Sequence, residues 1–258
     1  MGGTTTERTS QVQSVARAFG LLEQMAQAGG VISLSELAER SRLPVPTIHR
    51  LLRTLVSGGH VRQLPSRRYS LGPRLIQLGA TAGQVSGVWA QPILDRLVDR
   101  WGESANLASL DRDMMVYVAQ APSPHAMRTF TEVGRRVHLH CTGVGKAILA
   151  QLPDEQIRSI LARPGLPAQT DHTITEAAAL FRELAQIRQR GYAVDEEEQE
   201  IGVRCYAVAV PGAAAPSAVS ISGPTVRLTP ELGLKAVPSL VEAAHELTLA
   251  LSDHGQTA

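Results

Sequence analysis

The chain has 258 residues, 43% of them hydrophobic, 19% charged and only 3% aromatic, with a formal charge of +1, enough to bury a full core as one large domain or two smaller ones. No stretch approaches the roughly 20 apolar residues of a membrane span, MGGTTTERTSQ lacks a signal peptide's apolar core, and Cys141 and Cys205 are too few for a disulfide scaffold; a cytoplasmic protein with buried thiols and no membrane partner is expected. The charge is uneven: residues 1–83 hold ten arginines against four glutamates, a net +6, and the remainder 15 basic against 20 acidic residues, a net −5, so a basic module suited to a polyanionic partner precedes an acidic one.

From Val15, the apolar positions Ala18, Phe19, Leu22 and Met25 recur at helical spacing until Gly29-Gly30. Ser33-Leu34-Ser35-Glu36 fits a capping box, with Ile32 and Leu37 spaced for a hydrophobic staple, and predicts a short helix over Leu34–Arg40. Ser41 to Pro44 is a tight turn, and Pro46 suits the first position of a further helix, where its missing N–H costs nothing. In that helix Ile48, Leu51, Leu52, Leu55 and Val56 form one stripe and leave Thr47, His49, Arg50, Arg53 and Thr54 outside. Two short helices joined this way make a helix-turn-helix, whose second helix enters the DNA major groove. The stretch His60–Leu64, the turn Pro65–Arg68 and Tyr69–Leu71 read as a hairpin with Arg67 and Arg68 at its tip, placed for phosphate or minor-groove contact. The candidate DNA-binding residues are therefore Thr47, His49, Arg50, Arg53, Arg67 and Arg68. Arg50 and Arg53 suit guanine and phosphate equally. A linker helix follows from Arg74 to about Val88, with close-packing small residues at Gly79, Ala80, Ala82 and Gly83.

The second module alternates helices and strands. A helix over Pro92–Trp101 precedes strands at Ala105–Leu110 and Met114–Ala119 around the turn Asp111-Arg112-Asp113, and another strand is expected at Met127–Thr131. Helices are expected at Thr142–Gln151, Asp154–Ala162 and Glu176–Arg190. Strands at Tyr192–Val194, Val203–Val210 and Ala218–Ser222 follow, the last two joined through Pro211 to Pro216. A long helix capped by Thr229 closes the chain at about Leu251. The fold class is α+β, an antiparallel sheet with flanking helices. The expected division is 10–72 for the winged helix-turn-helix, 73–90 for the linker helix and 91–252 for the second domain.

Three stretches, GRRVHLHCTGVGKAILA at Gly134–Ala150, RGYAVDEEEQEIGVRCYAVAV at Arg190–Val210 and SAVSISGPTVRL at Ser217–Leu228, resemble the IclR family of bacterial transcriptional regulators. So do LSELAERSRLPVPTIHRLLRTLVSGGHV and YSLGPRLIQLG in the first module. The resemblance implies a GAF-like effector domain, homodimers that associate into tetramers, and small organic acids as effectors. It also implies that Gly143, Val144, Asp195, Cys205, Ser220 and Ser222 line the effector site, with Val137 and Val203 as its apolar wall. Residue chemistry is compatible. Thr142 to Gly145 stand at a helix start, where free N–H groups suit a carboxylate, and Ser220 and Ser222 share one side of a strand. Each also has a plainer reading, as helix-start geometry for the glycines, core hydroxyls for the serines and a turn cap for Asp195.

Zinc is a rival reading, because His138, His140 and Cys141 cluster and Asp171-His172 could complete a set. On a strand, however, Cys141 would face away from both histidines. Catalysis through Cys141 lacks an identifiable base, so no catalytic residue, metal or cofactor is assigned, and Glu196-Glu197-Glu198 reads as a solvated turn. The sequence thus describes a non-enzymatic regulator that binds operator DNA under the control of a small acid. Repression released by the acid is the expected sign, with activation open. A ligand sensor working through protein partners is the alternative.

Overall fold

The computed structural model describes residues 12–129, 131–213 and 215–255, so the polar N-terminal tail, the first two residues of the 10–72 module, Phe130 and Ala214 lie outside the described residues. The chain divides into two compact units, 1–82 and 83–258.

The first unit contains α1 (Gln13–Gln27), β1 (Val31–Ile32), α2 (Leu34–Ser41), α3 (Val45–Ser57), β2 (Val61–Gln63) and β3 (Tyr69–Leu71), and α4 (Arg74–Ser86) runs across the boundary. Leu21, Met25, Ile32, Leu37, Ile48, Leu52, Val61 and Tyr69 form its core. Both halves of the capping box are made: Ser33 Oγ accepts from Glu36 N at 3.2 Å, and Glu36 Oε2 accepts from Ser33 N at 2.8 Å. α3 begins at Val45, one residue earlier than Pro46 suggests, with Pro44 at the N-cap. Neither proline has an N–H to leave unpaired there. β1, unforeseen in the sequence, pairs antiparallel with β3 and completes a three-stranded sheet of order β1-β3-β2. Two residues are too few for alternation to show.

The second unit contains α5 (Gln91–Trp101), β4 (Ser104–Asp111), β5 (Met114–Ala121), β6 (Arg136–Val137), α6 (Gly143–Leu149), α7 (Asp154–Leu161), α8 (Ala177–Arg190), β7 (Ala193–Glu196), β8 (Val203–Val210), β9 (Ser217–Pro224) and α9 (Pro230–Gly255). Its six strands form one antiparallel sheet of order β6-β5-β4-β9-β8-β7. Side chains alternate along each strand. Tyr206, Val208, Val210, Val219 and Ile221 therefore join α5 and α9 in one core, while Ala207 and Ala218 face α6 and α8 in another. The strand expected at Met127–Thr131 is not formed. Residues 127–129 and 131 are irregular backbone, and the sheet's edge strand is instead β6. Pro122 and Pro124 lie where the chain leaves β5, and neither can donate to a ladder.

Candidate nucleic-acid face and effector cavity

With about 100° between successive helical residues, burying Ile48 and Leu52 and half-burying Leu51 and Leu55 turns His49, Arg50 and Arg53 to solvent, and leaves Thr47 half-buried at the edge. Arg50 also borders a groove with Val15, Ala18, Leu51 and Leu55, so part of its side chain covers the α1–α3 seam. At the wing tip Arg67 is exposed in the left-handed region, at φ 62°. Arg68 differs from a free tip arginine, because it donates to Val31 O at 3.2 Å and lies 3.6 Å from Glu36. It ties the wing to β1 and to the capped start of α2. The result is an exposed basic face on a small rigid core.

The second unit holds a small cavity of about 30 Å³ on the α6 side of the sheet. Its lining includes Val137, Gly143, Asp195, Val203, Cys205 and Ser222, six of the eight residues named from sequence. Ladder register explains the grouping, since Cys205 stands opposite Asp195 on one side and Ser222 on the other, all with the same pleat. Ser222 Oγ accepts from Asn106 Nδ2 at 3.2 Å. The other two residues lie elsewhere. Val144 is fully buried among Ala147, Ile148 and their neighbours, because one residue along a helix turns it to the core. Ser220 pairs with Ala207 and Asn106, two positions deeper along β9, with its hydroxyl beside the Cys205 thiol.

α6 starts against this lining because two glycines allow it. A Cβ on Gly143 would stand 2.9 Å from Cys205 Sγ, and one on Gly145 2.3 Å from the Leu139 backbone. Thr142 Oγ1 accepts from Gly145 N at 3.2 Å and donates to His138 O at 2.7 Å, fixing the preceding turn. One expected free N–H is thereby occupied.

Thr142, expected at the helix start, also lines the cavity, whereas Tyr117, Thr129, Thr131, Arg135, Gln199 and Glu200 were not singled out from sequence. Tyr117 reaches it through a bulge. Register shifts between Leu107 and Ala108, so Met115 and Tyr117 face α6 whereas Ala119 and Ala121, of the same parity, face α5. Burial raises the Tyr117 phenol well above its ordinary range. Arg135 sits exposed at the cavity's rim.

Behind the lining lies a cluster that corrects the sequence reading. Glu198, expected in a solvated turn, is only 6% exposed and pairs with Lys146, 1% exposed on α6. Thr170 and Thr173 donate to Glu197 O and Glu198 O, each at 2.7 Å, and hold that turn inward. A lone lysine inside the apolar run GVGKAILA was the available signal, since a buried ammonium requires an anion. Asp195, 4% exposed, accepts from Glu198 N at 2.8 Å and Gln199 N at 3.3 Å, both on Oδ1. Burial first, and then Glu198, push its carboxyl up to about 7, against the opposing pull of Lys146. Burial pushes the Cys205 and Cys141 thiols up to about 12.

The zinc candidates do not lie on a strand. Residues 138–141 form a turn, and the His138 and His140 rings meet edge to face at 5.5 Å. His140 Nε2 donates to Pro167 O at 3.1 Å, and Cys141 Sγ donates to Gln199 Oε1 at 3.2 Å. Among the described residues, no group of three His, Cys, Asp or Glu side chains is placed to hold a metal. Among them too, no helix is long and apolar enough to cross a membrane.

Comparison with known proteins agrees with both halves. The IclR helix-turn-helix domain matches residues 14–65, and the bacterial transcriptional regulator IclR C-terminal domain matches residues 88–252. The chain is 37% identical over 257 residues to the transcriptional repressor IclR of Escherichia coli strain K12, covering 95% of this chain and 92% of that one. It is 38% identical over 258 residues to the acetate operon repressor of Salmonella typhimurium strain LT2, covering 96% and 93% respectively. The crystal structure of an IclR transcriptional regulator from Alicyclobacillus acidocaldarius superposes with a TM-score of 0.82 at 32% identity, over 93% of this chain and 99% of that one. With a winged helix at one end and this α+β domain at the other, the chain belongs to the IclR family of DNA-binding bacterial transcriptional regulators.

Proposed function

We propose that this regulator is a cytoplasmic repressor whose paired winged helices read a near-palindromic operator, and that a small organic acid in the second unit releases it. The observation that carries the acid is the cavity at the start of α6, where Ser222, Thr142 and Asp195 supply hydrogen-bonding groups and Arg135 a cation at the rim. A floor of small side chains at Gly143 and Cys205 favours a short keto or hydroxy acid over an aromatic one. Release requires the acid to bind the DNA-incompetent state more tightly, by the same factor as it weakens operator affinity. Within the first unit, exposed Val15 and Phe19 on α1 and Ile76 and Leu78 on α4 support a homo-oligomer, because such apolar surface is otherwise left to water.

The test is fluorescence anisotropy of the protein on its operator during titration with pyruvate, lactate and benzoate, as the simplest keto, hydroxy and aromatic acids. Release by one of the short acids is expected, with Ser222→Ala requiring more acid at unchanged operator affinity. Ser220→Ala, one layer below, has the smaller effect. An operator complex indifferent to every acid contradicts the proposal.

A further inference from the structure

Around the cavity the fold buries more negative charge than positive. The titratable groups buried around Asp195 are Glu198 from its own turn, Lys146 from α6, Cys205 from β8, Cys141 from the turn before α6 and Tyr117 from β5, and Glu200 shares the cavity wall but is exposed. Both thiols and the phenol stay neutral at pH 8, because burial moves each of them upward. His138 and His140 beyond them are lowered by burial and are also neutral there. The buried ionisable set is thus two carboxyls and one ammonium, and the ammonium is committed to Glu198. Asp195 accepts its two backbone hydrogen bonds on Oδ1, and its carboxyl lines the cavity. Arg135 stands exposed at the rim, where solvent screens it.

An acid anion entering this cavity meets the buried carboxyl of Asp195. Two such groups at hydrogen-bonding distance share one proton instead of both remaining ionised.

We propose that the effector anion binds together with one proton, which Asp195 carries on Oδ2 and donates to the bound carboxylate, with Glu198 and Lys146 as positioning residues that set the site's charge. The proposal rests on the reading of the cavity as the acid site. The proton comes from solvent, and no other bond forms or breaks. A free-state carboxyl titrating near 7 places the break in a useful range. Below pH 7 Asp195 already holds its proton, so affinity is level. Above pH 7 the proton must be taken up on binding, and affinity falls about tenfold per pH unit. Uptake is therefore near zero at pH 6 and approaches one proton at pH 8.

The experiment is calorimetric titration of the full-length protein with pyruvate, lactate and benzoate at pH 6 and pH 8. Each is run in two buffers whose ionisation enthalpies differ, MES and bis-Tris at pH 6 and HEPES and Tris at pH 8, so that proton uptake is read directly. Lactamide, with no charge, is the control. Uptake of close to one proton per acid at pH 8, with roughly tenfold weaker binding than at pH 6, is the expected result. Asp195→Asn takes up none, and its affinity no longer falls between pH 6 and pH 8. Glu198→Gln leaves Lys146 beside Asp195 alone, which favours the ionised carboxyl and moves the break below pH 7. Acid binding without proton uptake at pH 8, or uptake that persists in Asp195→Asn, would overturn the inference while leaving the acid site intact. Failure of every acid to bind at either pH would overturn the acid site itself. The wild-type measurement depends on no variant folding.

Discussion

The two units use charge in opposite ways. The first keeps its arginines outside a core of eight apolar side chains, and Arg50 and Arg53 are exposed on α3. The second draws Lys146, Glu198 and Asp195 inside, where each charge is tied to folding and to the state of its neighbours. Charge at a surface is thus a matter of recognition, and charge in a core a matter of stability and of protons.

The sharpest way to break this contrast is Lys146→Met. It strands Glu198 in the core and should cost about 3–5 kcal/mol, followed by urea denaturation through Trp89 and Trp101, both in the second unit. Burial already raises the Glu198 carboxyl, and Lys146 opposes that rise. Without the lysine the folded-state value climbs further, so the stability retained below the ordinary carboxylate range is lost as pH rises through the folded value. Adding Glu198→Leu should restore most of the loss, since two apolar groups leave no charge uncompensated. A Lys146→Met variant as stable as the parent would show that the pair is not as dry as its burial indicates.

Arg50→Ala/Arg53→Ala is the counterpart in the first unit. Operator affinity should fall at least about 100-fold by anisotropy, with the urea midpoint unchanged and acid binding intact. Full regulation in cells by this variant would favour the protein-partner alternative. Next in size, Gly145→Ala sets a Cβ against the Leu139 backbone and should destabilise the second unit by about 1–3 kcal/mol. The smallest change is Ser33→Ala, which removes the capping box of α2 and should cost about 1 kcal/mol. Faster amide exchange in α2, with the tryptophan-detected transition unmoved, checks that the loss stays in the first unit.

Local signals carried most of the fold. The capping box, the prolines before α3 and the 3.6-residue stripe of Ile48, Leu52 and Leu55 are short-range features, and α1, α2 and α3 formed within a residue or two of where they pointed. Strand positions were legible where alternation runs for eight residues, as in β8, and not where the element has two, as in β1 and β6. The cavity was half legible. Motif residues Gly143, Asp195, Cys205 and Ser222 lie on its wall, but Tyr117 arrives there through a bulge that changes face in the middle of β5, which no regular period reveals. Glu198 was misread because a run of three glutamates resembles a surface. Its partner is 52 residues away in sequence, and only the packing of α6 against the 196–200 turn brings the two together.

The most direct test of the whole account is anisotropy of the full-length protein on the intergenic DNA beside its own gene, compared with scrambled DNA over a salt series. Tight binding to the intergenic sequence alone is expected, with affinity falling steeply as salt rises because exposed arginines displace counterions from phosphate. Equal affinity for both DNAs across the series would contradict it.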